Sequence, residues 1–273
     1  MRTRPILPLC GAVLIGLATA LTSAAGPALA APEDAPTCAA HAAAFDKVLK
    51  DIDEHNAKPN VFTPSQRAEF DAYNAAAAEL NTRMTTVRNK RAACESAVQS
   101  LGGAPVAMPE GFTAVSTAAK NSGSPLPQSA VDTFVSEFTE LAGPEDWNDQ
   151  SLQGKKRPES GAKDIAMTSG NITEYSDGTP AVSATEIVPV AEVIALPRFF
   201  ELTPVNQWAL LMSRTNHQWM SNQAALGFAS PSVAAIVRLD DQWKRLQLSL
   251  AKTTKETLTA AVETLIQSQD LPS

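Results

Sequence analysis

Residues 63–98 read TPSQRAEFDAYNAAAAELNTRMTTVRNKRAACESAV, and the spacing within this stretch decides the fold. Thr63-Pro64-Ser65-Gln66 is a capping box: a threonine N-cap, proline at the first helical position and a glutamine able to bond back to the cap. Phe70, Tyr73, Ala77, Leu80, Met84, Val87, Arg91, Cys94 and Val98 then alternate steps of three and four, an almost wholly apolar seam. Upstream, the Ala-rich run from Cys38 to about Asn56 carries Phe45, Val48, Leu49 and Ile52 on one helical face, and Lys58-Pro59-Asn60 ends it. Two such helices joined by a short turn predict an antiparallel hairpin of coiled-coil character. The return path brings the start of the first helix beside the end of the second, so Cys38 and Cys94 should meet.

The first thirty residues say in which compartment. Arg2 and Arg4 precede an uncharged apolar run from Ile6 to Leu21, and small residues follow as far as Ala28-Leu29-Ala30. That order is the pattern of a removable signal peptide, and the apolar run is shorter than the ~20 residues a membrane span needs. Cys10 is expected to leave with the leader, so Cys38 and Cys94 are the cysteines of the exported chain. An oxidising compartment then predicts a disulfide between them. A metal site is disfavoured there for want of further Cys or suitably spaced His. His41 and His55 on the hairpin lack a matching acidic or nucleophilic partner, and Asp51, Asp53 and Glu54 read as a solvated helix face.

The chain carries 22 basic and 29 acidic residues, a formal net charge of −7, and loss of Arg2 and Arg4 makes it more acidic still. Nucleic-acid binding draws much of its affinity from Lys and Arg neutralising phosphates, so this balance disfavours DNA or RNA as a partner. No later segment is long and apolar enough to span a bilayer.

Beyond the hairpin, Gly102-Gly103-Ala104-Pro105 changes the character of the chain, and Asn121 to Gln128 is a Ser, Gly and Pro cluster typical of connections. Val131, Phe134, Val135, Phe138 and Leu141 predict one short amphipathic helix capped by Ser129. Residues 145–183 are polar and without period. Lys155-Lys156-Arg157 within them is the densest basic run and reads as solvated. Ile187, Val188, Val190, Val193 and Ile194 fit a buried strand or a short helix. Ser230-Pro231 looks like an N-cap with proline at N1, opening a helix through Val233, Ile236, Leu239, Trp243, Leu246 and Leu250, and Leu258, Val262, Leu265 and Ile266 continue the helical pattern.

Residues 180–194 read PAVSATEIVPVAEVI, then comes LPRFFELTPVN at 196–206 and NHQWMS at 216–221. The order resembles the C-terminal domain of exported HNH-type (His-Me finger) nucleases and polymorphic toxins, whose pattern runs P-A-V-S-A-D-H-I-V-P-L, P-G-F, L-T-P-E-N, N-L-Q-W-L-S and N-x-S-K. The resemblance covers about residues 153–250. It implies a ββα unit in which a histidine activates water and an aspartate, with a later His or Asn, holds a divalent metal. The Asp-His pair of that pattern falls on Thr185 and Glu186, the middle asparagine on Asn216, and the late Asn and Lys on Ala225 and Phe228. Threonine is a poor metal ligand, alanine cannot ligate, and phenylalanine offers phosphate no charge. The resemblance therefore implies a scaffold whose ancestral metal site is gone. An altered active site would have to use Glu186 as base or ligand, with His217, which replaces the leucine of the pattern beside Asn216. Locally, Glu186 also fits a surface carboxylate or a partner of Arg198 or Arg214, and His217 a hydrogen-bonded core histidine. Trp208, Trp219 and Phe199 read as core.

The expected protein is mainly α. A signal peptide occupies 1–30 and a disulfide-closed helical hairpin 31–101. A linker with one amphipathic helix covers 102–152, and a small α+β HNH-like domain with a helical tail covers 153–273. The expected function is non-catalytic binding of a protein or envelope partner, outside the cytoplasm and without a cofactor. A secreted metal-dependent nuclease or toxin effector with an altered site, and a structural envelope protein whose hairpin self-associates, are the alternatives.

Overall fold

The computed structural model describes residues 36–103, 106–143, 147, 150–229 and 238–269. The expected signal peptide at 1–30 and the expected helix start at Ser230-Pro231 lie outside the described residues. The fold is mainly helical, with an N-terminal helix pair closed by a disulfide and a small two-stranded sheet near the C-terminal helices.

Helices α1 (Ala39–Asn56) and α2 (Arg67–Ser100) form the expected hairpin. Its seam is graded. Val87, Cys94, Ala97 and Val98 are buried, whereas Phe70, Tyr73, Ala77, Leu80 and Met84 are half-buried toward the turn, where Phe62 of the connection packs on Phe70 and Tyr73. On α1 the buried positions are His41, Val48 and His55, one heptad apart, with Phe45 and Ile52 half-buried between them; Leu49, expected on this face, is 42% exposed. Cys38 and Cys94 are bonded, with Cα atoms 5.9 Å apart. Further contacts cross the seam: Arg83 reaches Asp51 at 2.9 Å, the Arg91 guanidinium lies over the Phe45 ring, and the His55 and Tyr73 rings meet at 4.1 Å. Asp51 is thus an ion-pair partner rather than part of a solvated face.

The capping box is half built. The Thr63 N–H donates to Gln66 Oε1 at 3.0 Å, but the Thr63 hydroxyl also donates to that oxygen, and the Gln66 N–H turns back to the Thr63 carbonyl. The helix consequently starts at Arg67. Its other end is a Schellman motif: Gly102, at φ +92°, donates to the Gln99 carbonyl, and the Gly103 N–H reaches back to the Val98 carbonyl. A Cβ on Gly102 would come within 2.8 Å of the Arg214 Cβ. This close approach lets Thr215 bond the Ser100 and Leu101 carbonyls, which fastens the hairpin to the loop that leads into the sheet.

Two helices, not one, follow the hairpin: α3 (Phe112–Asn121) and α4 (Gln128–Ala142). Helix α4 starts one residue before Ser129, with Pro127 at the N-cap and no side-chain cap bond, because proline already sets the entry angle. Phe112 meets the Trp208 ring edge-on and Phe138 lies tilted against it, Phe134 packs edge-on to Phe112, and the Trp208 indole N–H donates to the Val106 carbonyl. Trp208 lies on α6 (Pro204–Leu211), which begins at a true cap, Thr203 followed by Pro204.

Strand β1 (Val182–Glu186) pairs antiparallel with β2 (His217–Ser221); between them lie α5 (Val190–Val193) and α6, and α7 (Asn222–Ala229) follows β2 directly. The ambiguous run at 187–194 is thus a short helix. The two C-terminal helical stretches are one helix, α8 (Asp241–Gln269). Leu239 precedes it, pairing as a bridge with Met167, and Asp240 caps it through the Trp243 N–H. The main core runs from the Cys38–Cys94 end of the hairpin through Phe112, Phe138, Val193 and Trp208 to Leu258 and Leu265. A second cluster gathers Ala166, Met220, Ala224, Leu239 and Trp243 beyond the sheet.

Candidate functional site

Side chains alternate across a strand, so the register of β1 and β2 sorts the candidate residues onto two faces. Glu186 stands opposite His217, and Ala184 opposite Trp219, on one face; Thr185 stands opposite Gln218 on the other. The first face opens into a cavity of about 490 Å³, also lined by Trp147, Arg157 and Tyr175. Glu186 and His217 are therefore brought together, while Thr185, Ala225 and Phe228 line none of this cavity.

Glu186 pairs with neither Arg198 nor Arg214. Its Oε2 accepts the Val190 N–H at 3.0 Å, at the start of α5. Burial pushes its pKa above the ordinary carboxylate value, and the Val190 bond opposes that rise. Arg198 is occupied by Glu201 and Glu263. Arg214 is half-buried, and burial lowers its pKa.

His217 is a buried, hydrogen-bonded histidine. Its Nδ1–H donates to the Ser213 carbonyl at 2.8 Å, and its ring stacks on Trp147 with centroids 4.8 Å apart. Burial pulls its pKa below the ordinary histidine value, and the Ser213 bond opposes that fall. The ring is then neutral near pH 7, with Nε2 left as a hydrogen-bond acceptor. Glu186 and His217 make no ion pair with each other among the described residues.

Asn216 braces the loop after β1. Its Oδ1 accepts the Val188 N–H at 2.8 Å, its Nδ2 donates to the Val188 carbonyl at 2.9 Å, and its own carbonyl takes the Ile187 N–H at 2.7 Å. The side chain is almost fully buried, so these bonds have no competition from water.

The other candidate positions are occupied by packing. Ala225, on α7, is half-buried against the Met220 and Trp243 cluster. Phe228 meets the Trp243 ring edge-on at 5.7 Å. Gln218, beneath Thr185, is bonded to Gln247 of α8 at 2.6 Å. Among the described residues no group of three or more His, Cys, Asp and Glu is placed to hold a metal ion.

Among the cavity residues that the sequence reading does not assign to a site are Trp147, Tyr175 and Arg157. Trp147 and Tyr175 belong to the run without period, so no pattern singles them out. Arg157 read as part of a solvated basic run, yet it turns inward, bonds the Pro180 and Val182 carbonyls and lies over the Trp219 ring. Its neighbours Lys155 and Lys156 are exposed as expected. Trp208 and Phe199 are core, whereas Trp219 is half-buried and walls the cavity.

No family model, curated protein or solved structure matches this chain.

Proposed function

We propose that this chain is an extracytoplasmic binding protein built on a degenerate HNH-type scaffold, and that it does not cut nucleic acid. The observation that carries the reading is the fate of Ala225 and Phe228. The resemblance expects a metal-binding asparagine and a phosphate-contacting lysine at these positions, whereas Ala225 packs against the Trp243 cluster and the part-exposed Phe228 ring meets Trp243 edge-on. The scaffold itself supports the resemblance: two antiparallel strands lead directly into α7, and Asn216 braces the turn after the first of them. The Cys38–Cys94 bond and the leader pattern both support an oxidising compartment. No helix among the described residues is long and apolar enough to cross a membrane. A protein or envelope component is the proposed partner.

The register pairing of Glu186 with His217 favours one second reading, a nuclease or toxin effector with an altered site in which Glu186 ligates a metal and His217 Nε2 accepts a proton from water. Calorimetric titration of the purified protein with magnesium, manganese and zinc separates the two. The binding reading predicts no saturable heat. A saturable site that vanishes in Glu186→Ala would establish the second reading instead.

A further inference from the structure

Across the sheet from the Glu186 cavity lies a larger cleft of about 670 Å³, walled by β2, α8 and the loop from Leu152 to Ile172. Its floor is apolar, lined by the largely buried Ile172, Met220 and Trp243 and the half-buried Leu250, with the fully buried Leu152 beneath. Ile165 and Leu246, also lining it, are 62% and 59% exposed, so two large apolar side chains stand in water beside an apolar hollow. Lys155, Lys156 and Lys163 line it as well, and none of their ammonium groups has an ionic partner among the described residues. The one carboxylate among the described lining residues, Asp164, is buried and already accepts from the Ser221 hydroxyl and the Ala166 N–H. Gln218 and Gln247 satisfy each other. A chain with a net charge of −7 thus places three unpaired cations at one apolar hollow.

We propose that this cleft binds a single-chain anionic amphiphile, with the alkyl chain on the Met220, Trp243 and Leu250 floor and the anionic head among Lys155, Lys156 and Lys163. The size and mostly apolar lining are those of a small-ligand site, in which a few polar groups fix orientation. The lysines supply head-group attraction, and burying the chain would also cover Ile165 and Leu246. The inference rests on the reading of the chain as a binding protein and names its ligand class.

The test is titration of the full exported chain, followed by tryptophan fluorescence, since Trp219 and Trp243 both line the cleft. The probes are dodecanoate, dodecyl phosphate, dodecanol and dodecyltrimethylammonium, each below its micellar range. Both anions should give saturable one-site curves, with dodecanol and the cation at least ~10-fold weaker. Tighter binding of dodecyl phosphate would mark a phosphate-headed lipid as the source, and tighter binding of dodecanoate a free fatty acid. Lys155→Glu with Lys156→Glu and Lys163→Glu should weaken the anions about 10-fold or more, while Lys47→Glu with Lys58→Glu and Lys252→Glu, outside the cleft, should leave them within about 2-fold. Absence of saturation by either anion, equal affinity for dodecyltrimethylammonium, or equal loss in the two triple variants would overturn the inference. Such failure leaves the binding reading standing, because metal binding and nuclease activity test that reading separately.

Discussion

The Asn216 side-chain amide holds Val188 by both of its backbone groups, accepting its N–H at 2.8 Å and donating to its carbonyl at 2.9 Å. This pair of hydrogen bonds to one residue fixes the turn that carries Glu186 toward α5. Replacing Asn216 by alanine would strand two buried backbone groups, each costing about 1–3 kcal/mol when unpaired. Asn216→Ala should therefore unfold at a urea concentration corresponding to a loss of about 2–6 kcal/mol. A loss under about 0.5 kcal/mol, the range of an ordinary surface change, would show that the brace is dispensable.

Cys38 and Cys94 close a loop of 56 residues in sequence separation. In the chain-entropy model a loop of this length contributes about 4 kcal/mol, by restricting the unfolded chain. Cys38→Ser with Cys94→Ser should lower stability by roughly 3–4 kcal/mol, and reductant should have no further effect on that variant. Non-reducing peptide mapping should recover the two cysteines in one linked pair.

The histidine at 217 gives a pH dependence of defined sign. Its folded pKa lies below the ordinary value near 6.5, because burial disfavours the imidazolium. Between the folded and ordinary values the unfolded chain binds more protons, so stability rises with pH across that window. Its contribution is complete above about pH 6.5 and is lost as pH falls toward the folded value. Glu186 acts in the opposite sense at lower pH, since its raised folded pKa makes the native state the stronger proton binder above the usual carboxylate range. Thermal unfolding from pH 7.5 down to 5.5 should show wild type losing more stability than His217→Asn on acidification. Parallel pH profiles would mean that the ring is not held neutral by burial.

Much of the fold was legible because it is written in repeating patterns. The seam from Phe70 to Val98 and the stop at Lys58-Pro59-Asn60 identify the hairpin, and the hairpin identifies the Cys38–Cys94 pair. Helix α3 was missed because its buried face, Phe112, Val115, Ser116 and Ala119, has only two large apolar residues in a short run between Gly- and Pro-rich turns. The start of α2 was placed too early because both the Thr63 hydroxyl and its N–H chose the Gln66 side chain over the helix backbone.

The candidate site was legible only in part. Strand alternation could have placed Glu186 and Thr185 on opposite faces, but their partners, His217 and Gln218, needed the register. Trp147, Arg157 and Tyr175 arrive from an irregular segment whose position is set by tertiary bonds, such as those from Arg157 to the Pro180 and Val182 carbonyls. No local period announces such residues.

The central claim is that the scaffold persists without its chemistry. Its most direct test is incubation of the purified protein, produced from residue 31 onward, with plasmid DNA and structured RNA across magnesium, manganese, calcium and zinc, beside Glu186→Ala prepared in parallel. The account predicts intact substrate in every lane, because an acidic chain offers phosphate little attraction and Thr185, Ala225 and Phe228 supply neither ligand nor charge. Cleavage by wild type that disappears in Glu186→Ala would contradict it and assign the chain an active, altered nuclease site.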